Sequence, residues 1–221
     1  MISKVQAGGF EYMLGIITGL RAEAKIARYF FPDALIVMSY SRHQGALEAI
    51  EYLKKKQVTH ILSFGCAGAL SSKMSVGDIL VPRSIVVGEK RIETSKSLPW
   101  DISKAKSLSV PLLAVEKIIA STVEKEFLHQ KTGAFSVDME SGVAATSGLP
   151  FSVLRVVCDE VTQILPPAAL VPLNKRGAPS LRLILHSLWK NPSQISDLLK
   201  LGRNAYLAQK AMKEYLKRVC F

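Results

Sequence analysis

Apolar runs of strand length alternate with helical patterns along most of this chain, and that alternation restricts it to an α/β fold. Residues 13–19 (MLGIITG) read as a buried strand, and AEAKIARYF as a helix ended near Pro32. ALIVMSY at 34–40 is a second strand. ALEAIEYLKKK at 46–56 has helical spacing, with Leu47, Ile50 and Leu53 on one face. HILSF at 60–64 is a third strand, and GCAGAL after it reads as a glycine loop. GDILVPRSIVVG at 77–88 is a long β segment in which Pro82 marks a bulge or an edge. PLLAVEKIIAS, GAFSVDM and FSVLRVVCD add strands, while TVEKEFLHQK and SGVAATSG add helices. The sheet is therefore parallel or mixed, with no internal repeat and no sharp linker. The polar stretch 89–109 reads as an excursion, with a gate over the site and a surface insertion as its two readings.

At 221 residues the chain is expected to form one domain with a full core. The core spans about 13–170, followed by a helical extension at about 175–221. Apolar content of 48% argues against disorder. No run approaches the ~20 apolar residues of a membrane span. Glu11 precedes the first apolar run and no A-x-A site follows it, unlike a signal peptide, so a cytoplasmic location is expected. Cys66, Cys158 and Cys220 are far apart and odd in number, which fits a reducing compartment. The four histidines lack metal-ligand spacing, and neither a P-loop nor a G-x-S-x-G elbow occurs. No metal or cofactor is expected.

Three carboxylates sit where apolar runs end. Glu23 follows LGIITGL, Glu140 lies in SVDMES, and Asp159 ends FSVLRVVCD. In an open α/β sheet that edge is where ligands bind. Each acid alone also has an ordinary structural reading: a first-turn helix acid for Glu23 and Glu140, a cap for Asp159. Extended geometry puts Asp138 and Glu140 on one face, with Met139 facing the other way. In SFGCAGAL, Gly65 and Gly68 permit close backbone approach to a ligand, or simply a tight turn. The pattern is not G-x-G-x-x-G, so a dinucleotide site is not expected.

Taken in order, GIITGLRAEAKIA, SFGCAGALSSKMSVGDILVP, FSVDMES and FSVLRVVCDE resemble the nucleoside phosphorylase and nucleosidase superfamily over about residues 13–160. The resemblance is closest to its hopanoid-associated subfamily, which cleaves adenine from adenosylhopane. LPPAALVPLN and LRLILHSLWKNPSQISDLLKLGRNA resemble that subfamily's C-terminal region. The resemblance implies a three-layer αβα sandwich with a mixed central sheet, plus C-terminal basic helices. It implies that Glu23 activates the attacking water and Asp159 donates a proton toward N7 of the leaving purine. Glu140 would hold the ribose hydroxyls and Met139 would pack on the sugar. Cys66 stands where relatives carry a serine near the nucleophile, and Arg155 where some carry an arginine. The chemistry suits these types, because glycosidic cleavage builds oxocarbenium character on the sugar and negative charge on the base. On this reading burial raises the pKa of Asp159, while Glu23 stays ionised.

The departures are informative. Ser63 stands where phosphorylases tend to carry a phosphate-binding arginine, which favours water over phosphate as nucleophile. Arg42 in SYSRHQG is a substitute anion contact, so Arg42 and Ser63 are the residues a phosphate co-substrate would meet. IIASTVEK lacks the segment that packs on adenine in methylthioadenosine nucleosidases. A soluble purine nucleoside is the alternative substrate, and an inactive nucleotide-binding module the alternative class.

Charge bears on partners. From Lys175 onward ten basic residues face two acidic ones, so this part carries eight of the net eleven positive charges. Such a surface fits nucleic acid, anionic lipid or a phosphorylated ligand, or is a solvated helix face. Joined to the resemblance, it suggests a lipid-linked adenosine and peripheral association with the inner membrane face, with no nucleic acid. A homo-oligomer is implied by the resemblance alone.

Overall fold

A computed structural model describes residues 5–7, 10–95, 100–171 and 180–220. A hairpin of β1 (Val5–Ala7) and β2 (Phe10–Tyr12) precedes the main sheet. The sheet contains β3 (Leu14–Thr18), β4 (Leu35–Met38), β5 (His60–Ala69), β6 (Ile79–Leu80) and β7 (Ser84–Val87). β8 (Lys90–Glu93), β9 (Leu112–Ala114), β10 (Ser136–Asp138) and β11 (Phe151–Asp159) complete it. The helices are α1 (Arg21–Phe30), α2 (His43–Lys55), α3 (Thr122–Thr132), α4 (Ser141–Ala145), α5 (Leu181–Lys190) and α6 (Gln194–Cys220).

β5 organises the sheet. It runs parallel to β3 and to β11, and its far end pairs antiparallel with β10. The order β4-β3-β5-β10-β9-β7-β8 follows, with β11 and then β6 branching from β5. The sheet is thus mixed. Its strands alternate between two apolar faces, as a period of two requires. Leu14, Ile16, Leu62, Phe64, Leu154 and Val156 pack with Ile26 and Phe30 of α1 and Met212 and Leu216 of α6. Ile17, Ile61, Val153 and Val157 pack on the other face with Ala46 and Ile50 of α2 and Val143 of α4. Helices therefore cover both faces, as expected.

Local departures from the sequence reading are instructive. GCAGAL is not a loop: β5 continues through it to Ala69, because β10 and β11 supply its ladder partners. The long segment at 77–88 breaks into β6 and β7, with Pro82 between them where no ladder donor is available. Leu47 does not share the buried face of α2; it is exposed, and Ala46, Ala49, Ile50 and Leu53 are buried. Within 89–109, Lys90–Glu93 pairs antiparallel with β7, and Trp100 packs beside Phe31 and donates to the Tyr215 hydroxyl. Residues 96–99 lie outside the described residues.

The basic tail is not an appendage throughout. Lys175 and Arg176 fall among residues 172–179, outside the described ones. In α6 the packed side is Asn204, Ala208, Met212, Tyr215, Leu216 and Val219. Helical spacing groups Ile195, Leu198, Leu199, Gly202, Tyr206 and Met212 on one face, yet of these only Met212 is buried, and Ile195, Leu199 and Tyr206 are exposed. No helix among the described residues is long and apolar enough to cross a membrane.

Candidate active site

Each of the three acids reaches the C-terminal sheet edge by a different local device. Glu23 sits on the first turn of α1, directly after β3. Its Oε2 accepts the backbone N–H groups of Gly19 and Leu20 at 2.9 and 2.8 Å, and its Oε1 accepts that of Cys66 at 2.8 Å. Glu140 is the N-cap of α4, immediately beyond β10 and the intervening Met139. Asp159 ends β11, where a register shift after Val157 sets Asp159 opposite Gly68. Such a bulge re-aims a side chain that strict alternation would send elsewhere.

Glu23, Glu140 and Asp159 line one cleft of about 190 Å³, together with Cys66, Gly68, Met139 and Arg155. Val115, Ile118, Ile119 and Leu165 give it apolar walls. Described residues of the 89–109 segment do not line it. Arg42 does not line it either; it is exposed, with its guanidinium 5.9 Å from the Tyr40 ring centroid. Ser63 is fully buried below the cleft, bonded to Arg155 and Ser141. The two expected phosphate contacts are therefore not brought into the cleft. Among the described residues, no group of three or more His, Cys, Asp and Glu side chains is placed to hold a metal ion.

Gly65 lies beneath Glu23. It adopts φ of +153°, and a Cβ there would stand 2.7 Å from the Glu23 carboxyl. Gly65→Ala is expected to lose about 1–3 kcal/mol of stability through overpacking. Urea unfolding measures that loss, and activity should fall with it because the obstructed group is Glu23.

Arg155 lines the cleft, and its guanidinium is held by protein partners. It is 1% exposed, and its Nη2 stands 2.7 Å from Asp138 Oδ2, 3.1 Å from Glu140 Oε2 and 2.6 Å from Ser63 Oγ. Nη1 donates to the Cys66 carbonyl at 3.1 Å. The guanidinium is thus committed to fixing Glu140 and the β5 backbone. Ser39 donates to the other Glu140 oxygen at 2.9 Å. Glu140 is thus held from both sides, by Ser39 and by Arg155.

Three contributors escaped the sequence reading of the site. Asp138 was paired with Glu140 by spacing, yet its ion pair with Arg155 had no sequence signal. Ser39 belongs to a turn whose partner is 101 residues away. Lys125 lies in an ordinary amphipathic string, TVEKEFLHQK, but is fully buried. Its Nζ donates to Asp159 Oδ2 at 2.5 Å and to the carbonyls of Glu160 and Gln163 at 2.9 and 3.0 Å. Those three bonds exhaust the donors of an ammonium group.

Burial dominates the electrostatics. It pushes the pKa of Glu23 up, and the neighbouring Glu140 adds to the rise; Arg155 and two backbone N–H groups pull the other way. Burial also raises Asp159, against the pull of Lys125. Both acids thus shift in the same direction, because both are buried. Cys66 is raised through its contact with the Cys158 thiol and by burial.

Asp138 carries a pH signature. Burial pushes its carboxyl up from 3.8 to about 6; Arg155 opposes the rise and Glu140 adds to it. The folded state then holds this proton more tightly than the unfolded chain. Its contribution to stability is full below about pH 4 and is lost as the pH rises through about 6. The stability difference between the wild type and Asp138→Asn should fall between pH 4 and 7 by on the order of 3 kcal/mol. Denaturant titrations of both proteins across that range measure it, and a constant difference would contradict the assignment.

The fold matches that of a class of solved enzymes. The chain has the fold of nucleosidases and a related hydrolase. It is similar to the 5′-methylthioadenosine/S-adenosylhomocysteine nucleosidase of Helicobacter pylori bound to butyl-thio-DADMe-Immucillin-A, over 92% of this chain and 97% of that one, at 17% identity and a TM-score of 0.58. Futalosine hydrolase of Helicobacter pylori strain 26695 is similar over 92% and 97%, at 17% identity and a TM-score of 0.59. The methylthioadenosine/S-adenosylhomocysteine nucleosidase of Colwellia psychrerythraea 34H, in complex with adenine, matches over 90% and 96%, at 16% identity and a TM-score of 0.57. At these identities the likeness is one of fold. No protein-family model matches the chain, and no curated protein matches it in sequence.

Proposed function

We propose that this protein hydrolyses the N-glycosidic bond of an adenine nucleoside, and that its substrate is the lipid-linked nucleoside adenosylhopane. The observation that carries the reaction class is the convergence of Glu23, Glu140 and Asp159 on one cleft. Glu23, held by three backbone N–H donors, takes a proton from water as the water attacks the anomeric carbon. Glu140, clamped by Ser39 and Arg155, accepts from the ribose hydroxyls. Met139 and Cys66 flank the sugar. Asp159 gives a proton to N7 as the base departs, with Lys125 fixing its carboxyl. Its raised pKa suits an acid that must hold a proton near neutrality.

Water is favoured over phosphate because the cleft offers an anion little. Among the described lining residues the cations are Arg155, already committed to Asp138 and Glu140, and Lys117, which stands 3.3 Å from Glu124. A lipid-linked substrate is favoured by α5 and α6. Leu185, Trp189 and Leu199 are 57%, 82% and 70% exposed on helices that together carry eight Lys and Arg residues against two acids. Such helices suit the surface of an anionic membrane.

A second reading, a soluble methylthioadenosine-type nucleosidase, is favoured by the fold likeness to enzymes of that name. Adenine release should be assayed from adenosylhopane in liposomes and from methylthioadenosine without lipid, each with and without phosphate. Phosphate-independent release from adenosylhopane is expected. Release from methylthioadenosine alone would establish the second reading, and release from neither would overturn both.

A further inference from the structure

A second, larger cavity adjoins the acid cleft. It is a groove of about 770 Å³ between α1 and α6. Its floor is apolar, formed by Leu20, Ile26, Phe30 and Tyr29, with Tyr29 71% exposed. Its rim is basic: Arg21 and Lys25 from α1 face Lys213 and Lys217 from α6, all four exposed. Lys217 is bonded to Glu214 at 2.8 Å; the groove's lining contains no acid.

Leu20 lines both cavities. Its backbone N–H donates to Glu23, so the junction stands at the sugar end of the acid cleft, while Asp159 marks the base end. A substituent leaving the cleft past Leu20 would therefore be carried by the sugar, and the ribose position free to carry one is 5′. Size points the same way. The acid cleft, at about 190 Å³, is smaller than the roughly 300–1,000 Å³ of typical ligand sites, whereas the groove falls within that range.

We propose that the α1/α6 groove holds a large apolar 5′ substituent of the nucleoside, with its basic rim set against an anionic lipid surface from which that substrate is drawn. This rests on the proposed nucleosidase reading for the identity of the acid cleft. The exposed stripe of α6 leads into it: Leu199, Tyr206, Lys213 and Lys217 fall on one helical face at spacings of seven, seven and four. The groove thus opens on a surface that changes from apolar to basic along one helix.

Binding separates this proposal from the catalytic one. Adenosine and 5′-dodecylthioadenosine serve as probes, titrated calorimetrically into the wild type, Tyr29→Glu and Lys213→Glu. Each buried methylene is worth about fourfold in affinity, so the long chain should bind at least about a hundredfold tighter than adenosine. Tyr29→Glu should remove most of that gain by placing a charge on the apolar floor. Lys213→Glu should keep the gain in solution and reduce binding to vesicles containing phosphatidylglycerol. No gain from the dodecyl chain, or a gain that Tyr29→Glu leaves intact, would overturn the groove assignment. Sedimentation of the same variants covers the other occupant: a wild-type dimer that Tyr29→Glu dissociates would assign the groove to a second copy and overturn the proposal. A dodecyl gain without adenine release would overturn the catalytic reading while leaving the groove assigned.

Discussion

Glu23→Gln is expected to lower kcat for nucleoside cleavage about 10²–10⁴-fold, the range typical of a general base. The substitution is nearly isosteric, which isolates chemistry from shape. Its amide oxygen can still accept the N–H groups of Gly19 and Leu20. The amide nitrogen then meets the N–H of Cys66, donor against donor, in place of a bond of 2.8 Å. That mismatch costs about 1–3 kcal/mol of stability. Urea unfolding reads the stability term, and single-turnover kinetics reads the chemical one. The pH profile distinguishes a base from a merely structural carboxylate. In the wild type, activity should fall as the pH drops through the pKa of Glu23, which burial and Glu140 raise above its ordinary value. That acid limb should vanish in the variant. Retention of more than about a tenth of the wild-type kcat would remove Glu23 from the role of base.

The fold was legible because burial on both faces of a parallel strand leaves a near-continuous apolar run. MLGIITG, ALIVMSY, HILSF and FSVLRVVCD each carry that mark, and each is a strand. The acids were legible because they terminate those runs. Illegible were features that depend on partners distant in sequence. GCAGAL has the composition of a turn, yet it is strand because β10 and β11 hold it. Lys125 carries no local sign of burial; its environment comes from Asp159, Glu160 and Gln163. The stripe on α6 failed for a related reason. Spacing groups residues by angle but does not say which angle faces the core, and Tyr215, Leu216 and Val219 won that contest against Ile195 and Leu199.

Buried charge explains why the cleft's two ends are built differently. Beside Asp159 one ammonium faces one carboxylate, with two carbonyls completing its bonds. Around Arg155 one guanidinium faces two carboxylates, Asp138 and Glu140, with Glu23 close enough to feel both Glu140 and Arg155. An excess of negative charge there is what an oxocarbenium-like sugar would meet. Burial raises the pKa of both Glu23 and Asp138, and the neighbouring Glu140 adds to each rise.

Arg155→Met tests that design and carries the largest expected effect on stability. Met approximates the volume but leaves Asp138 and Glu140 buried without their cation. Breaking a buried pair by removing one partner typically costs about 3–5 kcal/mol. Ser63 and the Cys66 carbonyl also lose donors, at 2.6 and 3.1 Å. At pH 7 the variant should therefore be destabilised by at least about 3 kcal/mol. The deficit should shrink at pH 5. Asp138 already titrates near about 6 with Arg155 in place, and without that attraction it holds its proton to higher pH still. Once protonated, it is a buried acid bonded to Ser141 and no longer a stranded charge. Arg155→Lys should fall between the two, because it restores the charge but not the planar fork that reaches Ser63 and the carboxylates together. Denaturant unfolding of the three proteins at pH 5 and 7 measures the set. A deficit that is equal at both pH values would mean that packing, not charge, is what Arg155 supplies.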